Sequence, residues 1–264
     1  MKQRILTGLG AGALFLLLLV IGGTPYELLL LLLALIGFFE FARLNGISPF
    51  HPAGLLGFAG VLFFMLPWEE LGLDVPSDSA AIWLLLLLLL SVTVVAKNRI
   101  AVDGAALLLL GAVYVGFGFA AMGDVRSIEP HGLYLSFLSF AAIWASDIGA
   151  YFIGKAIGKR KLWPAISPNK TIEGSLGGIA CAIAAAIAFQ LAAPETIGFG
   201  RAVAIGAVAA VAGQFGDLIQ SAYKRHRGVK DSGKLLPGHG GVLDRCDSWI
   251  VVFPLLVLTG LLPL

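Results

Sequence analysis

The chain has 264 residues, 58% of them hydrophobic and 13% charged, with a formal net charge of +2. Globular domains carry roughly a quarter charged residues, so runs such as LFLLLLVIGG and IWLLLLLLLSVTVV exclude a soluble fold and point to an all-α polytopic membrane protein. Cys181 lies in an apolar run and Cys246 between two aspartates, without metal-ligand spacing or a disulfide framework.

In chain order the predicted spans are 5–22, 25–42, 53–67, 79–96, 102–122, 133–153, 174–192, 202–220 and 249–263. Most approach the roughly 20 apolar residues that a bilayer core of about 30 Å requires, and the third and ninth are short. This makes about nine transmembrane helices in one integral membrane domain (1–264): a helical part over about 1–130, then catalytic helices and loops over about 133–264. The start MKQRILTGLGAGALFLLLLVIGG has the basic head and apolar centre of a signal peptide. It lacks an A-x-A-like cleavage site, so it is expected to remain as the first span.

Cytoplasmic loops retain Lys and Arg. With Lys2 and Arg4 inside, the inner loops hold Arg43, Lys97, Arg99, the group Lys155, Lys159, Arg160, Lys161 and Lys170, and the six cations of 223–248. The outer loops hold only Arg126 and Arg201, with the acidic 67–79 loop of Glu69, Glu70, Asp74 and Asp78. This asymmetry predicts a cytoplasmic N-terminus and two large basic cytoplasmic loops. The Gly- and Ala-rich spans at 174–192 and 202–220 predict close helix packing around whatever those loops hold.

Ionisable residues within apolar spans are functional candidates. Asp147, Glu173, Asp217, Asp244 and Asp247 fall at similar depth near one face, beside both basic loops. Glu27 and Glu40 lie at span ends without a polar loop of their own, and an ordinary interfacial role is expected for them. His51, His131 and His226 read as solvated or interfacial; His239, in the PGHGG turn between basic and acidic residues, is the one histidine with chemical company.

Asp244 and Asp247 are spaced i and i+3, so if 244–248 open the last helix their carboxylates share a face. Carboxylates without His or Cys partners suit a hard cation, Mg²⁺ in particular, which fills its shell with phosphate oxygens and water. Asp217 is expected to complete the cluster. Lys224, Arg225, Arg227, Lys230 and Lys234 would then hold a polyphosphate, with the glycines of PGHGG allowing close backbone approach. Anionic lipid head groups could use the same cations, though not the interleaved acids. The second loop, GKAIGKRKLWPAISPNKTIEG, adds Lys155, Lys170, Thr171 and Glu173 at a turn leading into a helix N-terminus. It lacks P-loop glycine spacing.

The stretch SAYKRHRGVKDSGKLLPGHGGVLDRCDS resembles the signature of the phosphatidate cytidylyltransferase family, the CDP-diacylglycerol synthases of bacterial membranes. The matching positions are Ser221, Lys224, Arg225, Lys230, Asp231, Pro237, Gly238, His239, Gly240, Gly241, Asp244, Arg245 and Asp247. Upstream, DIGAYFIGK (147–155), SPNKTIEG (167–174, from Ser167) and GDL (216–218) also resemble the family's pattern. Gln220 and Cys246 depart from it without touching a proposed ligand.

The resemblance implies cytidylyl transfer from CTP to phosphatidic acid in the bacterial inner membrane, on the cytoplasmic side, within phospholipid biosynthesis. It also implies Mg²⁺ on Asp217, Asp244 and Asp247 with room for a second cation, a homodimer in the lipid bilayer, and no nucleic-acid partner. Lys224, Arg225 and Lys230 would meet the triphosphate, and Lys170 and Arg245 the phosphatidate head group. His239 either hydrogen-bonds pyrophosphate or shapes its turn; Asp147 either holds Lys170 or ligates a second cation. The rival readings are a CTP-dependent lipid kinase of the polyprenol or phytol type and an ion-coupled transporter.

Overall fold

The computed structural model describes residues 2–68, 71–233, 235 and 240–262. The expectations placed on Glu69, Glu70, Lys234, Pro237, Gly238 and His239 therefore lie outside the described residues. A helix lies at each predicted span: α1 (Lys2–Ile21), α2 (Gly23–Leu44), α3 (Pro52–Met65), α4 (Asp78–Val95), α5 (Val102–Ser127), α6 (Gly132–Ile157), α7 (Ile172–Ala192), α8 (Phe199–His226) and α10 (Trp249–Leu258), the last shorter than the predicted 249–263 and preceded by the short α9 (Leu243–Cys246). Among the described residues, α4 to α8 are long and apolar enough to cross a membrane. Residues 8–21, α3 and α10 are shorter apolar helices.

One departure from an all-helical chain is a two-stranded antiparallel ribbon of β1 (Lys161–Trp163) and β2 (Ser167–Thr171). A simple turn was expected there. The ribbon pairs Lys161 with Thr171 and Trp163 with Ser167 around Pro164. It ends where the Thr171 hydroxyl accepts the Gly174 N–H at 3.1 Å and so caps α7.

Helices α6 and α7 form a close antiparallel pair because both present small residues at the crossing. A Cβ on Gly174 would stand 2.9 Å from Gly154 Cα, one on Gly178 2.7 Å from the Ser146 carbonyl, and one on Gly149 2.6 Å from Cys181 Sγ. Backbones that close gain dispersion contacts that lipid cannot match. Helix α8 packs along α7 in the same way, with Gly206 against Ala182 and Ile183. A second core joins α1, α6 and α10 through an aromatic cluster of Phe15, Phe140, Trp144, Trp249 and Phe253. Together these contacts fix the α6–α7–α8 unit and hold α10 beside it.

Charge placement follows the helices. Arg126, at the end of α5, donates to the carbonyls of Leu19 (2.8 Å) and Val20 (3.1 Å) at the end of α1. Arg201, at the start of α8, donates to Gly260 O at 3.0 Å. Antiparallel helices with short connections put both arginines at the end of the bundle opposite the ribbon.

Candidate functional site

At the ribbon end lies a cavity of about 720 Å³, within the size range of small-molecule sites. Four parts of the chain build it. Helix α6 contributes Asp147, Tyr151 and Lys155, spaced i, i+4, i+8 along one face. The ribbon and the α7 N-terminus bring Asn169, Lys170, Thr171 and Ser175. Helix α8 presents Gln214, Asp217, Ser221, Lys224 and Arg225, and the signature loop with α9 supplies Lys230, Asp231, Asp244, Arg245, Asp247 and Ser248.

Thirteen of the predicted residues thus share one cavity. Ser167, Glu173, Gly240 and Gly241 stand outside its lining, and Gly238 and His239 fall outside the described residues. Glu173 clamps the ribbon: its carboxylate accepts the backbone N–H groups of Lys159 (3.0 Å) and Arg160 (3.2 Å).

The carboxylates have distinct environments. Lys170 forms an ion pair with Asp217, which also accepts from Ser221 Oγ at 3.3 Å. Asp244 is fully engaged: Oδ1 takes Lys224 Nζ at 2.6 Å, and Oδ2 takes Ser232 N (2.7 Å), Gly241 N (2.9 Å) and Ser232 Oγ (3.0 Å). Burial opposes its charge, but the Lys224 ammonium and the two N–H donors outweigh burial and hold its carboxyl below the ordinary value.

Asp247 is the reverse case. Burial first, then the negative charge of Asp217, pushes its carboxyl up to about 7; Ser248 N–H and Lys224 offset part of this, and Asp147 adds to the repulsion. Its partner is Ser248 N at 2.8 Å. Close approach is possible because residue 216 is glycine, where a Cβ would stand 2.4 Å from Asp247 O.

Val242, Asp247 and Ser248 all keep right-handed helical dihedrals, so α9 leads into α10 as the spacing of the two aspartates suggested. The side chains nonetheless serve different partners: Asp244 folds back onto the loop, whereas Asp247 accepts from Ser248 N and feels the charges of Asp217 and Asp147. Among the described residues no three His, Cys, Asp or Glu side chains are arranged to ligate one ion. Lys170 is paired with Asp217 and Lys224 with Asp244. The corner formed by Asp217 and Asp247 nevertheless fits a hard cation by its donor chemistry: Lys224 offsets only part of the rise that burial and the charge of Asp217 impose on Asp247, and a divalent ion would supply the remaining counter-charge.

Sequence reasoning missed several residues. Gln214, Ser175 and Ser146 form a polar knot below the acids: Ser175 Oγ donates to Gln214 Oε1, and Gln214 Nε2 donates to Ser146 Oγ (3.3 Å) and Ser175 O (3.2 Å). Each hydroxyl or amide lies one to three residues from a predicted acid or from Glu173, which was the available signal. Glu40 was assigned an ordinary interfacial role, and the structure corrects this. It is 5% exposed and accepts from Val242 N, Leu243 N and Ser232 Oγ, each at 3.0 Å.

An apolar helical bundle with a cavity of carboxylates and cations at one helix end defines a membrane protein equipped to handle an anionic substrate. The chain belongs to the cytidylyltransferase family, whose sequence profile matches residues 2–262. It is 42% identical over 258 residues to the phosphatidate cytidylyltransferase of Bacillus subtilis (strain 168), covering 97% of this chain and 96% of that one. It is 40% identical over 256 residues to the protein of the same name in Staphylococcus saprophyticus, and 39% identical to that of Staphylococcus aureus (strain COL). Both of these matches cover 97% of each chain.

Proposed function

We propose that this chain transfers the cytidylyl group of CTP to phosphatidate, giving CDP-diacylglycerol and pyrophosphate in phospholipid biosynthesis. The observation that carries the reading is the single cavity in which Asp147, Lys170, Asp217, Lys224, Asp244 and Asp247 converge from separate parts of the chain. Relatives of that name match almost the whole length.

The reaction brings two anions together. A phosphatidate oxygen attacks the α-phosphorus of CTP, the new P–O bond forms, and the bond to the bridging oxygen breaks as pyrophosphate leaves with the electron pair. The acceptor oxygen is already ionised near neutral pH, so no strong base is needed. Charge neutralisation is the larger problem. Lys224, Arg225 and Lys230 are assigned to the triphosphate, with Asp231 holding that basic cluster in order. Lys170 and Arg245 are assigned to the phosphatidate head group, with Lys155, Thr171 and Ser221 along its approach. Asp147 keeps Lys170 directed into the cavity.

Asp217 and Asp247 would hold a divalent cation, which we assign as Mg²⁺. Asp244, which accepts from Lys224 at 2.6 Å, would be the third acid available to hold that ion. When bound, such an ion supplies Lewis-acid stabilisation of charge on phosphoryl oxygens. His239, which shares the PGHGG stretch of the sequence with Gly238, is assigned to the departing pyrophosphate.

About nine spans, a cytoplasmic N-terminus and a cytoplasmic site in the bacterial inner membrane complete the proposal, with a homodimer as the working assembly. Supporting the sidedness, the cavity end carries the dense Lys and Arg loops, while among the described residues the opposite end holds only Arg126 and Arg201.

CTP labelled at the α-phosphorus, supplied with phosphatidate and Mg²⁺ in mixed micelles, tests the reaction. Label is expected in the lipid product, with unlabelled pyrophosphate released. Label left in CDP with a γ-phosphoryl group on lipid would make the chain a lipid kinase. Ion flux across liposomes without consumption of CTP would make it a transporter.

A further inference from the structure

We infer that Glu40, on α2, is a positioning residue for the site: it ties the neck of the signature loop and thereby sets Asp244 and the segment that follows. The inference rests on the cavity being the cytidylyl-transfer site. Glu40 does not line that cavity; it acts through the loop behind it.

Glu40 and Asp244 together close the loop at both ends. Ser232 opens the loop, and Gly241, Val242 and Leu243 end it. Glu40 Oε1 accepts Val242 N and Oε2 accepts Leu243 N, both at 3.0 Å, where the chain enters α9. Asp244 Oδ2 accepts Ser232 N at 2.7 Å and Gly241 N at 2.9 Å. The Ser232 hydroxyl lies 3.0 Å from both carboxylates and links them.

Two features show that the neck is built around these acids. A Cβ on Gly241 would stand 2.3 Å from Glu40 Oε2 and 2.4 Å from Ser232 Oγ, and one on Gly233 would stand 2.3 Å from Glu40 Oε1. Gly240 has φ +83°, a conformation side chains rarely adopt, and a Cβ there would meet Asp244 Oδ2 at 2.5 Å. Glycines at 240 and 241 therefore have a structural cause separate from phosphate approach.

The carboxylate itself matters. Three donors converge on Glu40 from an element that begins 192 residues later in the chain. Only an acceptor with two equivalent oxygens satisfies adjacent N–H groups at once. Glutamine keeps the shape but turns an NH₂ toward one of those N–H groups. With the neck loosened, Asp244 loses the frame that aims it at Lys224, and the residues just beyond it lose their register with Asp217.

The experiment compares Glu40→Gln with the unaltered full chain in mixed micelles, reading kinetics and limited trypsin cleavage. We expect kcat/KM for CTP to fall about 10- to 100-fold, the effect of losing hydrogen bonds to a charged acceptor. KM for phosphatidate should move less than about twofold. Cleavage at Lys230 should accelerate while cleavage at Lys159–Lys161 does not. In the double variant with Ser232→Ala, the loss should be smaller than the product of the single losses, because the two residues share one neck.

Unchanged kcat/KM and cleavage in Glu40→Gln, multiplicative losses in the double variant, or equal acceleration at both cleavage regions would overturn the inference. If Glu40→Gln does not accumulate, Ser232→Ala alone carries the same readouts, since it removes one donor and leaves the carboxylate. Should the unaltered chain transfer no cytidylyl group, the reading of the reaction fails, and the contrast in cleavage still decides the role of Glu40.

Discussion

Replacing Asp247 by Asn separates what this acid does for the fold from what it does for the site. Its carboxyl stands at about 7 against an ordinary 3.8, because of burial and the charge of Asp217. The folded protein therefore retains a proton that the unfolded chain has released. The stability linked to that proton is complete below about pH 4 and is lost as the pH rises to 7 and beyond. Roughly three pH units at 1.36 kcal/mol each make this loss about 4 kcal/mol when no divalent cation is present. Asparagine has the same shape, can keep the 2.8 Å hydrogen bond from Ser248 N, and carries no charge.

In a chelator-containing detergent solution, Asp247→Asn should thus be more stable than the parent at pH 8, by up to about 4 kcal/mol. The difference should vanish near pH 4. Cytidylyl transfer should fall about 100-fold or more, the loss expected when a transition-state electrostatic contact is removed. Unfolding followed by circular dichroism from pH 4 to 8.5 and the α-label assay measure the two halves. A variant less stable than the parent at pH 8, or one with full activity, would refute the reasoning.

Lys224→Met removes the ammonium from Asp244, a buried pair at 2.6 Å whose side chains are 10% and 6% exposed. It should cost about 3 kcal/mol at pH 7, in addition to activity, because an uncompensated buried carboxylate remains. The cost should shrink as pH falls through the carboxylate range, since Asp244 then loses its charge in the parent as well; an undiminished cost at low pH would contradict the pairing. Gly178→Val places a Cβ 2.7 Å from Ser146 O and 3.1 Å from Gln214 Nε2. It should destabilise the α6–α7 crossing by about 1–3 kcal/mol, the usual range for overpacking, and lower activity through Asp147 and Asp217. A melting temperature and turnover equal to the parent's would show that the crossing tolerates separation.

Composition and charge made the helical membrane class, the helix positions and most of the cavity visible in advance. An ionised side chain within an apolar span is costly enough that Asp147 and Asp217 stand out against any neighbouring residue. The small residues of α7 and α8 announced close packing because only they permit it. These are local properties: each depends on a residue and the few beside it.

Tertiary structure decided which donors each acid meets, since those donors come from distant parts of the chain. Glu40 looks like an interfacial carboxylate until Val242 and Leu243, 202 and 203 residues away, place their N–H groups against it. Asp244 and Asp247 look alike in sequence, yet one is surrounded by donors and the other by burial and like charge. The ribbon at 161–171 likewise depends on Glu173 holding the chain near Lys159 and Arg160. The energy of a buried charge depends on the groups that replace its lost water, and three-dimensional packing selects those groups.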